Sequence, residues 1–110
     1  MGYDLHITRA EHWAENEQNP ITAEEWLALV ESDPDLTIDP RGNKPYFALW
    51  LGHWLGWDYP WFDWFRGDIH TKYPDRKTLG KMLEIAAHFG AKVQGDEGEL
   101  YSRPEDLPER

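Results

Sequence analysis

Apolar and polar residues alternate from the first positions. Tyr3, Leu5 and Ile7 fall on one side of a period-two pattern and Asp4, His6 and Thr8 on the other, which predicts a half-buried strand. Residues 10–20 are polar and read as a loop, with one helical turn around Glu11–Glu15. Ile21-Thr22-Ala23-Glu24-Glu25-Trp26 then marks a helix start. Thr22 is the cap, Glu25 completes a capping box, and Ile21 is placed to staple onto Trp26. Trp26, Leu29 and Val30, with Leu27 at the edge, form the buried stripe, and Pro34 stops the helix. Leu36-Thr37-Ile38 reads as a short strand and 40–45 as a loop.

Tyr46 to Leu51 is a continuous apolar run of strand length, suited to a strand covered on both faces. Residues 52–60 form an aromatic loop with His53, Trp54, Trp57, Asp58 and Tyr59. Trp61 to Tyr73 reads as a hairpin turning at Arg66-Gly67. That register puts Phe62, Trp64, Ile69 and Thr71 on one face. Trp61, Asp63, Phe65, His70 and Lys72 take the other, with Asp63 opposite His70. Asp75 caps a second helix that runs to about Phe89, with Gly90 as its stop and Leu79, Met82, Leu83, Ala86 and Phe89 buried. Residues 91–94 and 99–101 pair as a last hairpin around Gly95–Gly98, and 102–110 are expected as a loose tail. The fold expected is α+β: a single antiparallel-rich sheet of about five to seven strands with two helices packed on it, one domain over 1–101.

Composition narrows the function. The 110 residues contain no cysteine, which removes disulfides, thiol nucleophiles and cysteine zinc sites. No stretch is long and apolar enough for a membrane span and no signal peptide is evident, so a cytoplasmic protein is expected. The formal net charge is −10 and is unevenly spread. Residues 1–40 hold ten acids against one base, Arg9; residues 41–94 hold eight bases against five acids; residues 95–110 hold six acids against two bases. Such a field repels nucleic acid and attracts a basic partner. It equally suits plain solubility.

Catalytic signatures are absent from the sequence. The five histidines, His6, His12, His53, His70 and His88, form no zinc-protease motif and no close ligand triad. Ser32 and Ser102 sit in no nucleophile elbow, and Gly52, Gly56 and Gly67 form no phosphate cradle. His6 with Asp4, and His70 with Asp63, are placed to meet across a sheet; the two readings are a metal or acid–base site and ordinary cross-strand pairing. Arg66-Gly67-Asp68 spells a tripeptide displayed by integrin ligands, and here reads as a hairpin turn. No catalytic residue, resident metal or cofactor is assigned.

Seven tryptophans are the anomaly, and Trp50, Trp54, Trp57, Trp61 and Trp64 fall within fifteen residues. Trp50 and Trp64 read as core. Trp54, Trp57 and Tyr59 sit in a glycine-containing loop, where they serve either as an interaction hot spot, as a sugar-stacking surface, or as a lid folded onto the sheet.

The segments GYDLHITRA, ITAEEWLALV, WFDWFRGDIHTKYPD and KMLEIAAHFGAKVQGDEGELY together resemble a family of small acidic bacterial proteins of unassigned function. In size, acidity and mixed architecture, though not in motif, the chain also resembles immunity proteins that neutralise bacterial polymorphic or contact-dependent toxins. That resemblance implies a non-enzymatic inhibitor that occludes the active site of a cognate, basic toxin. The acids Glu11, Glu15, Glu17, Glu24, Glu25, Glu31, Asp33 and Asp35 would then steer the partner, and Trp54, Trp57 and Tyr59 would anchor it. The alternative is a small-molecule or carbohydrate-binding module that uses the 52–60 loop.

Overall fold

The computed structural model describes residues 4–42 and 44–107. Seven strands form one antiparallel sheet: β1 (Asp4–Thr8), β2 (Leu36–Ile38), β3 (Phe47–Trp50), β4 (Trp61–Phe65), β5 (Asp68–Lys72), β6 (Lys92–Gly95) and β7 (Leu100–Tyr101). They lie in the order β2-β3-β4-β5-β1-β6-β7. Among the described residues two α-helices, α1 (Ala23–Ser32) and α2 (Arg76–Phe89), complete an α+β fold. Tyr3, expected to begin the first strand, lies outside the described residues. No helix among the described residues is long and apolar enough to cross a membrane.

The alternation in the sequence decides which side of the sheet is core. Leu5, Ile7, Ile69, Phe62, Ala48, Trp50 and Val93 point to one face and join Trp26, Leu29 and Val30 of α1 and Leu79, Met82, Ile85, Ala86 and Phe89 of α2. The hairpin closes as its residues demand. Arg66 and Gly67 have φ of 51° and 99°, the two-residue turn whose twist matches paired strands, and Asp63 faces His70. At Gly67 a Cβ would lie 2.8 Å from Pro20, so the chain crossing this turn leaves room only for glycine.

The helix ends follow local chemistry. The Thr22 hydroxyl accepts from the Glu25 amide, and the Glu25 carboxylate accepts from the Thr22 amide, closing the expected capping box. Asp75 caps α2 by accepting from the Thr78 amide at 2.8 Å, and Gly90 ends it in the left-handed conformation. Two ion pairs tie the helices together. Arg9 grips Glu25 with both terminal nitrogens, at 2.9 and 2.7 Å, while its Nε donates to the Phe89 carbonyl at the far end of α2. Buried Lys81 on α2 donates to Asp33, the residue after α1, at 2.7 Å.

Two stretches differ from expectation. Residues 10–20 are not a loop with a turn at Glu11–Glu15: a 3-10 helix spans Trp13–Gln18. It begins where the His12 ring accepts from the Ala14 amide, and it is drawn down by buried Asn16, which bonds the Thr8 hydroxyl and the Trp13 carbonyl. Residues 102–107 are folded, and only 108–110 of the expected loose tail lie outside the described residues. The Asp106 carboxylate accepts from the Ser102 and Arg103 amides, Pro104 opens a short 3-10 turn, and Leu107 enters the core at 4% exposure. The Arg76 guanidinium holds the Leu107 carbonyl at 2.7 Å. One apolar residue with a paired carbonyl is enough to dock the segment against α2.

Candidate functional site

The 52–60 loop leaves β3 and returns into β4, and a set of bonds fixes it at both ends. The Trp50 amide donates to the Pro60 carbonyl at 2.8 Å, and within the loop the Leu55 amide donates to the Asp58 carbonyl at 2.9 Å. Gly56 supplies the φ of 101° that the turn requires. His53 Nε2 lies 2.8 Å from Asp75, the cap of α2, so the loop is tied to a helix start. Burial opposes the Asp75 charge, yet the bonds from His53 and Thr78 outweigh it and hold the carboxyl below its ordinary range. Arg41 reaches Asp58 at 3.2 Å across the loop's other side.

On this braced loop Trp57 is 77% exposed and Trp54 58% exposed. Tyr59 is half-buried and meets Trp54 edge-on with ring centroids 4.9 Å apart. A cleft of about 440 Å³ opens beside them, walled by Trp57, Tyr59, Trp61 and Tyr73, with Lys72 and Asp75 at its margin. The loop is therefore not a lid folded onto the sheet. The backbone of the loop is tied down, and the rings of Trp54 and Trp57 stand in water.

A second arrangement lies on the sheet face turned away from the main core. Register places Phe47, Asp63, His70, His6 and Gln94 side by side on five adjacent strands. His6, 5% exposed, is clamped from both sides: Nδ1 lies 2.7 Å from Asp68 Oδ2 and Nε2 lies 3.1 Å from Asp96 Oδ1. Burial works against a charged ring here, but the bonds to Asp68 and Asp96 outweigh it and raise the His6 pKa, which favours the imidazolium. Trp13 lies flat on His6 at 3.9 Å with 2° between the planes, and its indole N–H donates to the Asp96 carbonyl at 3.1 Å. His70 goes the other way. Burial lowers its pKa, against the pull of Asp68, Asp63 and Asp4, and so favours the neutral ring. Asp63 beside it is pushed up by burial, against the pull of His70 and Lys44. A cleft of about 410 Å³ opens over this row, bounded by Asp4, His6, Trp13, Asp68 and His70 together with Arg66.

No family model matches this chain, and neither a curated relative nor a solved structure was found for it.

The acids of the first forty residues do not act as one group. Glu11, Glu15 and Glu17 lie at the 3-10 helix and are exposed. Glu24 and Glu31 are exposed on α1, seven positions apart and so on one side of the helix. Asp35 is exposed and joins the aromatic loop through the backbone, its carbonyl accepting from the Leu51 amide at 2.7 Å. The remaining two are paired with cations of the chain itself. Bonds from Arg9, then from the Thr22 amide, hold the Glu25 carboxyl down at about 2. Burial opposes the Asp33 charge, but Lys81 outweighs it and holds that carboxyl low.

His6, Asp4, His70 and Asp63 meet as the sequence anticipated. Asp68, Asp96 and Trp13 were missed. Asp68 shares strand parity with His70, so the pattern did place its side chain on this face. Asp96 and Trp13 come from a turn and a 3-10 helix, where no period points the side chain. Asp68 is 4% exposed, so the Arg66-Gly67-Asp68 tripeptide is a hairpin turn whose carboxylate faces inward.

Proposed function

We propose that this is a non-enzymatic binding protein that recognises a basic protein partner through the 52–60 loop, and that it serves as an immunity protein, occluding the active site of a bacterial toxin. The observation that carries the reading is the exposure of Trp54 and Trp57, at 58% and 77%, on a loop braced at His53 and Pro60. An exposed tryptophan has only two side-chain torsions to lose on binding and buries a large area, so it concentrates affinity. The net charge of −10 supplies the sign of the partner, and exposed Asp35 sits at the start of the loop, its carbonyl accepting from the Leu51 amide.

The test is capture from the native cell lysate with tagged wild-type protein and with Trp57→Ala, at low and high salt. A basic protein held by the wild type, released by salt and lost with Trp57→Ala supports the proposal. No partner at either salt, or one indifferent to Trp57, overturns it. The 440 Å³ cleft favours one second reading, a small-molecule or carbohydrate site in which a sugar ring stacks on Trp57. Saturable quenching of tryptophan fluorescence by one member of a sugar and metabolite panel is its signature, and occlusion of a protein predicts none.

A further inference from the structure

The cluster around His6 has features that the binding loop does not use. One ligating atom each from Asp4, His6 and Asp96 lies within 4.8 Å of the other two. His6 Nε2 and Asp96 Oδ1 are 3.1 Å apart. Two ligands each about 2.1 Å from one ion, at tetrahedral or octahedral angles, stand about 3.0–3.4 Å from each other. That pair already has the spacing of two corners of a coordination shell. We propose that Asp4, His6 and Asp96 form a divalent-cation site selective for Zn²⁺ over the oxygen-seeking Ca²⁺ and Mg²⁺.

Asp68 gives the site its direction. It is buried at 4% exposure and accepts from His6 Nδ1 at 2.7 Å. A carboxylate on the far nitrogen is the usual partner of a metal-bound imidazole: it fixes the tautomer, turns the lone pair of Nε2 toward the ion and raises ligand basicity. Trp13 fixes the rest. Its ring lies parallel to His6 at 3.9 Å, and its N–H holds the backbone of Asp96, so ligands from β1 and from the β6–β7 turn are braced by one side chain.

Charge and space agree. Asp4, Asp68 and Asp96 put three carboxylates around one imidazole; among the described residues Lys72 lies 3.3 Å from Asp4 and Arg66 borders the cleft. A dication answers that excess. Asp4 and His6 also bound the 410 Å³ cleft, which leaves room for water at the remaining coordination positions. The imidazole selects the metal, because nitrogen ligands suit zinc and its neighbours whereas calcium and magnesium take oxygen shells.

Tag-free, chelator-treated protein is titrated with ZnCl₂ in a calorimeter, and separately with CaCl₂ and MgCl₂. The expected result is one Zn²⁺ per chain. Asp96→Asn is expected to weaken that binding at least tenfold, and Asp68→Asn about 10- to 100-fold through the orientation of His6. Asp96 is partly solvent-exposed, so Asp96→Asn retains the fold, which far-UV circular dichroism checks; His6→Gln is the harsher variant and is read only if folded. Substitution of Co²⁺ for Zn²⁺ gives a visible spectrum that reports imidazole and carboxylate ligation directly. Failure to bind Zn²⁺, binding untouched by Asp96→Asn, or Ca²⁺ binding as tight as Zn²⁺ would each overturn the proposal.

Discussion

The face around His6 and the loop around Trp57 both set aromatic rings beside carboxylates, and they dispose of them in opposite ways. At His6 every partner is inside the chain: Asp68 and Asp96 take the two ring nitrogens, and Trp13 covers the ring and donates its N–H to a backbone carbonyl. Trp26 and Trp64 behave as Trp13 does, their indole N–H groups donating to the Tyr46 and Ile21 carbonyls. In the 52–60 loop the backbone is tied down while the rings of Trp54 and Trp57 stay in water. Phe65 at 58% and Leu100 at 63% are exposed as well, but Trp54 and Trp57 stand together on one braced turn, where two large rings make a shared apolar surface. Substitutions at the two places should therefore separate stability from recognition.

The largest effect expected is at Asp68. Asp68→Ala leaves buried His6 without its closest acceptor and opens a hole at the turn of the β4–β5 hairpin. The loss is about 2–3 kcal/mol of folding stability, since a hydrogen bond to a charged group is removed and its buried partner stays behind. Chemical denaturation followed by circular dichroism measures it. A loss below about 0.5 kcal/mol, the range of ordinary surface substitutions, would mean that the His6 network does not hold this face together.

Trp57→Ala inverts the result. Folding stability should stay within about 0.5 kcal/mol of wild type, because the ring touches little. Affinity for the partner should drop by about 2 kcal/mol, roughly 30-fold, as for a central aromatic anchor. Trp54→Ala should cost less affinity and some stability, because Trp54 packs edge-on against Tyr59 and so shapes the loop. Calorimetric titration alongside thermal unfolding reads both quantities. Equal losses of stability and affinity at Trp57 would collapse the contrast.

A smaller effect is expected with pH, and it comes from His70. Burial lowers its pKa in the folded chain, against Asp68 on its own strand, Asp63 on β4 and Asp4 on β1, while His6 pushes the same way as burial. As pH falls through the ordinary histidine range near about 6.5, the unfolded chain takes up a proton that the folded chain refuses. The neutral ring therefore contributes stability above that range, and the contribution is lost as pH falls below it. His70→Asn should flatten the decline in stability between about pH 7 and 5, measured in chelator to keep metal out. An unchanged slope would remove His70 from the account.

How much of this was legible depended on whether a residue sat in a periodic element. The capping box of Thr22 and Glu25, the stripe Trp26–Leu29–Val30, the Arg66-Gly67 turn and the pairing of Asp63 with His70 all follow from local rules that tertiary structure did not override. The meeting of His6 with His70 needed only strand parity and an antiparallel neighbour. Trp13, Asp96 and Leu107 were out of reach for a common reason. Each lies in a turn or a 3-10 segment, and its burial is decided by long-range partners: His6 for Trp13 and Asp96, and α2 for Leu107. Charge misled in a different way. Ten acids in the first forty residues suggest a single field, but Arg9 from the same stretch and Lys81 from α2 pair with Glu25 and Asp33.

That last point yields the smallest effect and the finest discrimination. Glu24, Glu31 and Asp35 are exposed and free to steer, whereas Glu25 is gripped by Arg9. Reversing Glu24, Glu31 and Asp35 to lysine should slow association with a basic partner by about threefold at low ionic strength, flatten its salt dependence and leave the dissociation rate nearly unchanged, because rim charges act on encounter. Glu25→Lys should do the opposite. It places a second cation against Arg9 and breaks the capping box of α1, so it should lower stability by about 1 kcal/mol with less effect on association. Stopped-flow association across a salt series, set beside thermal unfolding of each variant, separates the two. If Glu25→Lys slowed association as much as the triple reversal, the partner would be reading total charge, and the exposed stripe on α1 would have no special part in its approach.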